Sequence, residues 1–272
     1  MIQVDKMGLV KNYEQIISDT CPSFSGIIAG ECSGKLWVNQ LDNPSIAIVY
    51  SHAVGSHSIF SKTLKIDELK RMELFIKQEL FEEIRRDGYN TFEISIESES
   101  LKPYIHGMFE DKQILSEKEF SYRRSKPLER TADLQEDYQL CRLDHALWLK
   151  IIDGAFTNGS FITQRLLQSW GSFENFEKKS LAFCIIHDDV IVAVIIGTAR
   201  LHNIIPIDIE TDSNYQKNGF AYLLTVEFVN ECHRNGLIAQ WDCVESNVPS
   251  CNLVKKAGFE FVHGNTVYWF DF

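Results

Sequence analysis

The residues that decide the fold are 207–221, which read IDIETDSNYQKNGFA. Isoleucines at the alternate positions 205, 207 and 209 predict a strand that ends in Glu210-Thr211-Asp212. A polar turn follows, and a helical pattern runs from Ala221 to Asn235. Backbone N–H groups in the first turn of a helix lack partners and carry partial positive charge, so this junction suits an anion. Gly219 and Ala221 are small enough to let a phosphate approach the backbone.

Two motifs in this region resemble a known family. Gln216-x-x-Gly219-x-Ala221 is similar to the Gln/Arg-x-x-Gly-x-Gly/Ala signature of the GNAT (Gcn5-related) N-acetyltransferases, whose loop holds the pyrophosphate of acetyl-coenzyme A (acetyl-CoA). The run from Asn247 to Phe259 resembles the Asn-x-x-Ala/Ser-x-x-Leu…Gly-Phe helix of that family. A narrower resemblance, to the branch that includes the zwittermicin A resistance acetyltransferases, rests on Ile209-Glu-Thr-Asp212, Glu231-Cys232…Gly236-Leu237, Trp241-Asp242 and the stretch GKLWVNQLDNPSIAIVY.

The resemblance implies an α/β (α+β) protein with the GNAT acyl-CoA N-acyltransferase fold, a mixed central sheet flanked by helices. In that fold two neighbouring parallel strands splay apart, and the pantetheine chain of acetyl-CoA inserts between them. Here the strands would be residues 207–211 and 237–243. The cofactor-binding positions implied by the resemblance are Ile209, Thr211, Gln216, Lys217, Asn218, Gly219, Phe220, Ala221 and Asn247.

Several of these residues also have an ordinary structural interpretation. Gly219 could be a simple loop glycine, and Lys217 a solvated surface lysine. Asn247 could cap a helix whose first turn holds Pro249. The order of strand, loop, helix and second strand favours the phosphate role for Gly219, whereas for Asn247 the two roles are compatible.

Carboxylates on the first splayed strand are the candidate catalytic residues. Amine acetylation needs an acceptor for the amine proton. Glu210 and Asp208 are the candidates, since alternate residues share one face of a strand, and Asp242 lies across the splay. Glu210 is favoured, and its alternative role is a structural acceptor for loop N–H groups. Many GNAT enzymes carry a tyrosine four residues before the Gly-Phe pair, where it protonates the leaving thiolate. That position is Val254, so water or an acid elsewhere would take this role.

Composition limits the other function classes. The 272 residues carry a net charge of −11 without a basic face, so no nucleic-acid partner is expected. Acidity mildly favours a cationic amine as substrate. Seven scattered cysteines without a C-x-x-C pair predict no metal site. The N-terminus does not resemble a signal peptide, and the apolar residues 181–209 predict a hairpin and no membrane span. We expect a bacterial, cytoplasmic protein.

The chain is expected to form two domains. Residues 1–118 are predicted to be an α/β domain, whose long helix (67–87) and following strand (91–97) echo residues 221–243. This domain could be a degenerate GNAT-like copy that serves as a substrate wall or an interface. Residues 119–132 are highly charged and are predicted to be a linker, and residues 133–272 the GNAT domain. The other predicted elements are a helix over 4–20, strands over 25–29, 36–38, 45–50, 58–60 and 138–143, helices over 144–153 and 163–171, a hairpin of 181–186 and 190–201, a helix over 249–257, and strands over 259–262 and 266–270.

The sequence therefore predicts an acetyl-CoA-dependent N-acetyltransferase that acts on the primary amine of a small polar molecule. By analogy with the narrower branch, an amino-containing antibiotic is a candidate. The alternative is a non-catalytic acyl-CoA-binding or regulatory module with an N-terminal interaction domain. A third interpretation keeps the enzyme but uses a longer acyl donor or an aminoacyl-tRNA, which the absence of a basic pattern disfavours. The oligomeric state stays open, with a homodimer as one alternative.

Overall fold

The computed structural model of the chain describes residues 1–5, 9–62, 65–129 and 134–272. These residues group into two compact units. The first unit contains Met1–Glu119, Val244–Ser246 and Gly264–Phe272, and the second contains Phe120–Cys243 and Asn247–His263. The predicted linker, residues 119–132, begins inside a strand and ends outside the described residues. The roles assigned to the two domains stay predictions.

The first unit combines one sheet with short helices. Its strands are β1 (Ile2–Gln3), β2 (Gly34–Val38), β3 (Ile46–Ser51), β4 (Ser56–Ser61) and β5 (Thr91–Ile96), and its helices are α1 (Pro22–Ile28), α2 (Ile66–Phe75), α3 (Phe81–Arg86) and α4 (Ile105–Met108). Strands β1 to β4 form an antiparallel run, and β4 and β5 are parallel. A π-helical turn, Ile76–Leu80, joins α2 to α3, so the predicted helix over 67–87 is confirmed with a local widening.

Two predictions for the first unit are wrong. Residues 4–20 form no α-helix where they are described; they contain one 3-10 turn, Tyr13–Gln15. Asn12 precedes that turn in the left-handed region, with φ of 54°, and Lys11 pairs with Asp42, so the backbone cannot continue as a helix. The predicted strand over 25–29 lies in α1, which begins at Pro22 with its fixed φ. Every residue of α1 is buried, so the sequence has no amphipathic period there.

From Tyr138 onward the second unit has the predicted order of elements with one added helix, and a strand precedes them where a linker was predicted. It contains most of β6 (Leu115–Arg124), then β7 (Tyr138–Arg142), α5 (His145–Ile152), α6 (Ser160–Trp170), α7 (Phe173–Lys179), β8 (Ala182–His187), β9 (Val190–Gly197), β10 (Ile204–Thr211), α8 (Phe220–Arg234), β11 (Ile238–Val244) and α9 (Val248–Lys256). The sheet order is β6-β11-β10-β9-β8-β7. Helix α7 was not predicted. The two strands predicted over 259–262 and 266–270 are one continuous strand, β12 (Glu260–Asp271).

The two faces of strand β10 contact different helices. Ile207 and Ile209 pack against the apolar cluster that contains Leu223, Leu224 and Phe228 of α8. Asp208 and Glu210 lie on the other face of the strand, where both carboxylates accept hydrogen bonds from Arg165 of α6. This alternation separates an apolar, α8-facing side of the strand from an acidic, α6-facing side.

Candidate active site

Strands β10 and β11 part partway along their length. They pair in parallel from Ile204↔Ile238 to Pro206↔Gln240, and the register ends there. Beyond Pro206, residues Ile207–Thr211 pair on their other side with β9. Pro206 has no N–H to give to a ladder, which makes it suited to the residue at which pairing stops. The splay that the family resemblance implied at residues 207–211 is therefore present in the backbone.

A cavity of about 560 Å³ opens where the two strands part. Its wall includes most of the predicted cofactor-binding residues, namely Ile209, Thr211, Gln216, Lys217, Gly219, Ala221 and Asn247. Asn218 and Phe220 are not among the residues that line it. The Asn218 side chain donates to the Tyr215 carbonyl at 3.0 Å, and Phe220 is a buried core residue whose ring lies 4.8 Å from that of Tyr138.

The N-terminus of α8 faces this cavity with features of an anion site. Gly219 is its N-cap, with φ of 81°, and among the described residues no side chain caps the helix. A Cβ atom on Gly219 would meet nothing within 4 Å, so the space in front of the helix is open. Lys217 and Lys256 line the same cavity, and the Lys256 ammonium lies 4.7 Å from the centre of the Tyr222 ring. The helix dipole and two lysines together favour a negatively charged group here.

The start of α9 forms another wall of the cavity. The Asn247 side chain accepts a hydrogen bond from the Ser250 N–H at 3.2 Å, so its capping interpretation is confirmed, and it lines the cavity as well. Trp241 Nε1 donates to Ser250 Oγ at 2.8 Å and ties α9 to β11. Val254, at the family's tyrosine position, is fully buried in the core of the unit.

The two predicted catalytic carboxylates lie on the α6-facing side of β10 and share one cation. Arg165 Nε donates to Asp208 Oδ2 at 2.6 Å, and Arg165 Nη2 donates to Glu210 Oε2. Burial alone would lower the pKa of Arg165, but the two carboxylates outweigh burial and raise it. Asp208 lines the cavity, whereas Glu210 is not among its lining residues. Sequence reasoning missed Arg165, because it stands more than 40 residues before its partners on a separate helix.

Asp242, the carboxylate across the splay, accepts a hydrogen bond from Gln240, which lies on the same strand, β11. Gln240 is fully buried, and its Nε2 donates to Asp242 Oδ1 at 3.0 Å. Arg123 Nε donates to Gln240 Oε1 at 2.8 Å. Because an arginine can only donate, Arg123 fixes the orientation of the Gln240 amide and directs its NH₂ group towards Asp242. Asp242 also lines the cavity.

Comparison with known proteins identifies the family. A sequence model described as GNAT acetyltransferase matches residues 15–268. The chain belongs to the GNAT acetyltransferase family, and the predicted fold is confirmed. Acetyl-CoA is the acetyl donor that this family uses in general.

Three relatives illustrate the match. YdfB, an uncharacterized N-acetyltransferase of Bacillus subtilis (strain 168), is 29% identical over 150 residues, which are 55% of this chain and 54% of that protein. A GCN5-related N-acetyltransferase-like protein from Streptococcus suis 89/1591 has 17% identity and a TM-score of 0.61, covering 87% of this chain and 88% of its own. A tandem GNAT protein from the clavulanic acid biosynthesis pathway has 10% identity and a TM-score of 0.57, covering 90% and 86%. At these identities the two structures show the fold alone.

Three further observations concern the described part of the chain. None of its helices combines the length and the apolar character that a membrane span needs. Within the same residues, histidine, cysteine and acidic side chains form no group that could hold a metal ion. The seven cysteines are all free thiols.

Proposed function

We propose that the chain transfers the acetyl group of acetyl-CoA to the primary amine of a small polar molecule, and that the cavity between β10 and β11 binds acetyl-CoA. The observation that carries this proposal is the position of the cavity, at the splay of the two strands and in front of the uncapped N-terminus of α8. When bound, acetyl-CoA supplies an activated thioester. The residues present fit its pyrophosphate, since Gly219 leaves open space and two lysines line the wall.

Different residues of the cavity would bind different parts of acetyl-CoA. Lys217, Lys256 and the N–H groups at the start of α8 would hold phosphate oxygens. The apolar residues of the wall, among them Ile207, Trp241 and Leu253, would exclude water from the remainder of the cofactor. The backbone of Ile207–Thr211, which β11 does not pair, would contribute N–H and C=O groups to the amide groups of the pantetheine chain.

The acid pair on β10 is proposed to accept the amine proton. An alkyl amine is protonated at neutral pH and becomes a nucleophile only after the proton leaves. The cavity lining favours Asp208 as the acceptor, because Asp208 is among the residues that line the cofactor cavity and Glu210 is not. Glu210 would then attract the ammonium from the adjacent position. The choice differs from the sequence-based preference for Glu210, and both assignments remain proposals.

The substrate class follows from charge. Asp208 of β10 and Asp242 of β11 line the cavity, and Glu210 lies next to Asp208 on the same face of β10. These acidic residues favour a cationic amine over an anionic acceptor. An amino-containing antibiotic stays a candidate by analogy with the narrower branch. We also propose that residues 1–118 serve as a substrate wall or an interface, since they contain no Gln-x-x-Gly-x-Ala loop. The cytoplasmic location and a homodimer stay predictions.

The test is release of free thiol from acetyl-CoA in the presence of a panel of amines: ethanolamine, glucosamine, putrescine, spermidine, lysine and an aminoglycoside. We expect at least one to give turnover. Removing the base in Asp208→Asn should lower kcat/KM about 10²- to 10⁴-fold and leave acetyl-CoA affinity intact, while Glu210→Gln should cost less. Glu174→Gln, on the exposed side of α7, is the matched control.

The outcomes separate the enzyme from its alternative. If acetyl-CoA binds but no amine releases thiol, the non-catalytic acyl-CoA-binding module is favoured. If Asp208→Asn keeps the wild-type rate and Glu210→Gln loses it, the acceptor is Glu210. If both variants keep the rate, neither carboxylate is the base.

A further inference from the structure

Arg165 makes more hydrogen bonds than an ordinary surface ion pair, because each of its guanidinium nitrogens has its own acceptor. Its Nε donates to Asp208, its Nη2 to Glu210, and its Nη1 to the Phe161 carbonyl at 3.1 Å. All three guanidinium nitrogens are engaged, so the plane of the group is fixed. The Arg165 side chain is 23% exposed, compared with 46% for Asp208 and 36% for Glu210. The cation is thus the least exposed member of the trio, and the carboxylates remain open to solvent.

Helix α6 holds Arg165 in place relative to the splayed strand. Ile162 and Leu166 are fully buried on the inner side of the helix. At its end, Trp170 Nε1 donates to the Gly197 carbonyl at 2.9 Å. Gly197 is the β9 residue paired with Ile207, the first residue beyond the point where β10 leaves β11. The helix that carries the arginine is therefore fastened to the sheet beside the splay.

The charges around the trio are distributed as follows. On β10 are Asp208 and Glu210, whose interactions raise the pKa of Arg165. The β9 segment packed against α6 is apolar from Val190 to Gly197. Helix α7, which also contacts α6, carries Glu174, Glu177, Lys178 and Lys179, and β11 carries Asp242. Two carboxylates and one guanidinium leave the trio with a net charge of −1.

We propose that Arg165 is a positioning residue of the amine site: it bridges Asp208 and Glu210, holds both carboxylates at one point of the sheet face, and reduces their joint charge to −1. Two unpaired carboxylates on alternate residues of one strand would repel each other, and this repulsion makes the first protonation of the pair easier. With the arginine bridging them, this repulsion is offset, and the trio presents one net negative charge to one ammonium. This inference rests on the proposed function for its role in catalysis, but the effect of Arg165 on the carboxylates can be measured separately.

The test compares Arg165→Gln, Arg165→Lys and the control Arg142→Gln, which removes an arginine paired with Glu231 elsewhere in the same unit. Protonation of Asp208 and Glu210 is followed by carboxyl-carbon NMR over a pH titration. In Arg165→Gln the midpoint of the first protonation of the carboxylate pair should lie about one pH unit or more above that of wild type, because the pair has lost its cation. Arg165→Lys should restore most of the wild-type titration, and Arg142→Gln should leave it unchanged. If Arg165→Gln folds poorly, Arg165→Met, which also removes the charge, provides the same comparison, and an unchanged carboxyl titration in that variant would overturn the proposal.

Turnover provides the second measurement. With the amine of the panel above that gives the highest rate, the acidic limb of kcat/KM should move to higher pH in Arg165→Gln by the amount seen in the NMR titration. Calorimetry should show unchanged acetyl-CoA affinity, because Arg165 is not among the cavity-lining residues. A merely structural role would lower the rate at every pH without moving the limb.

Two results would overturn the proposal: an unchanged carboxyl titration in Arg165→Gln, or a shift of equal size in Arg142→Gln. Failure of the proposed function is distinguishable from either result. If wild type neither binds acetyl-CoA nor acetylates any amine, the catalytic role falls, while the carboxyl titration still reports what Arg165 does to Asp208 and Glu210.

Discussion

Replacing Gly219 by glutamate tests the cavity as a phosphate site. Gly219 has φ of 81°, and a Cβ there would meet nothing within 4 Å, so the substitution introduces no clash. A non-glycine residue in the left-handed region costs about 1–2 kcal/mol. A carboxylate at a helix N-terminus recovers about 0.3–1 kcal/mol of that cost. We expect the free energy of unfolding to fall by about 1 kcal/mol, with the fold retained.

The effect on acetyl-CoA binding should be much larger. The new carboxylate would stand in front of α8, where the pyrophosphate is proposed to bind. A unit charge about 5 Å from a doubly charged pyrophosphate costs about 2 kcal/mol in the dielectric constant of water and about 7 kcal/mol at an effective constant of 20. Since about 1.4 kcal/mol is a factor of ten, affinity should fall at least about 20-fold. Isothermal titration calorimetry measures this loss, which should shrink as salt is raised.

Two control variants separate charge from backbone strain. Gly219→Ala keeps the strain without the charge and should bind within a few-fold of wild type. Gly236→Glu adds the same charge at the other end of α8, where φ is 67° and a Cβ would also meet nothing within 4 Å. Gly236 is not among the cavity-lining residues, so this variant should bind normally. Wild-type affinity in Gly219→Glu, or an equal loss in Gly219→Ala, would refute the assignment of the phosphate site.

The remaining predictions concern one helix cap and one buried histidine. Asn247→Ala removes the cap of α9 and should lower the free energy of unfolding by about 1 kcal/mol in denaturant titrations; because Asn247 also lines the cavity, acetyl-CoA affinity should fall too. Burial among the rings of Tyr50 and Phe92 lowers the pKa of His57 from 6.5 to about 3. Between these values the unfolded chain binds the proton and the folded chain does not, so stability falls as pH falls, by about 2 kcal/mol at pH 5. His57→Gln should flatten that dependence in denaturant titrations at pH 7 and pH 5, and an unchanged slope would contradict it.

The site elements that sequence predicts well are those whose causes are local. The junction at Gly219 combines a left-handed backbone position with the start of a helix, and both leave signals within a few residues. Asn247 followed by Pro249 is a helix start with the same local character. The splay was implied by family resemblance, and Pro206 supplies a local reason for its position. These features could therefore be placed without coordinates.

What sequence did not predict depends on contacts between distant segments. Arg165 is an ordinary polar residue of an amphipathic helix until folding brings it against β10. The hydrogen-bond relay from Arg123 through the buried Gln240 to Asp242 joins two strands that are more than a hundred residues apart. Helix α1 is short and buried on all sides, so its apolar residues carry no helical period. Apolar spacing alone suggested a helix over 4–20, but the left-handed Asn12 and the pairing of Lys11 prevent it.

The buried Val254 raises the question of which of the two proton transfers, to the leaving thiolate or from the ammonium, needs a catalytic side chain. A hydrocarbon side chain with no exposed surface cannot give a proton to the departing sulfur, so that position contributes packing only. A thiol has a pKa of about 8.5, whereas an alkyl ammonium has one of about 10.4. The thiolate is therefore the easier group to release without an acid, and the ammonium is the harder one to deprotonate without a base. An acetyltransferase can lose the tyrosine and remain active, but it cannot as easily lose every carboxylate beside the splay. If Asp208 or Glu210 is the base, as proposed, their arrangement around Arg165 puts the proton acceptor on the side of the reaction that needs one.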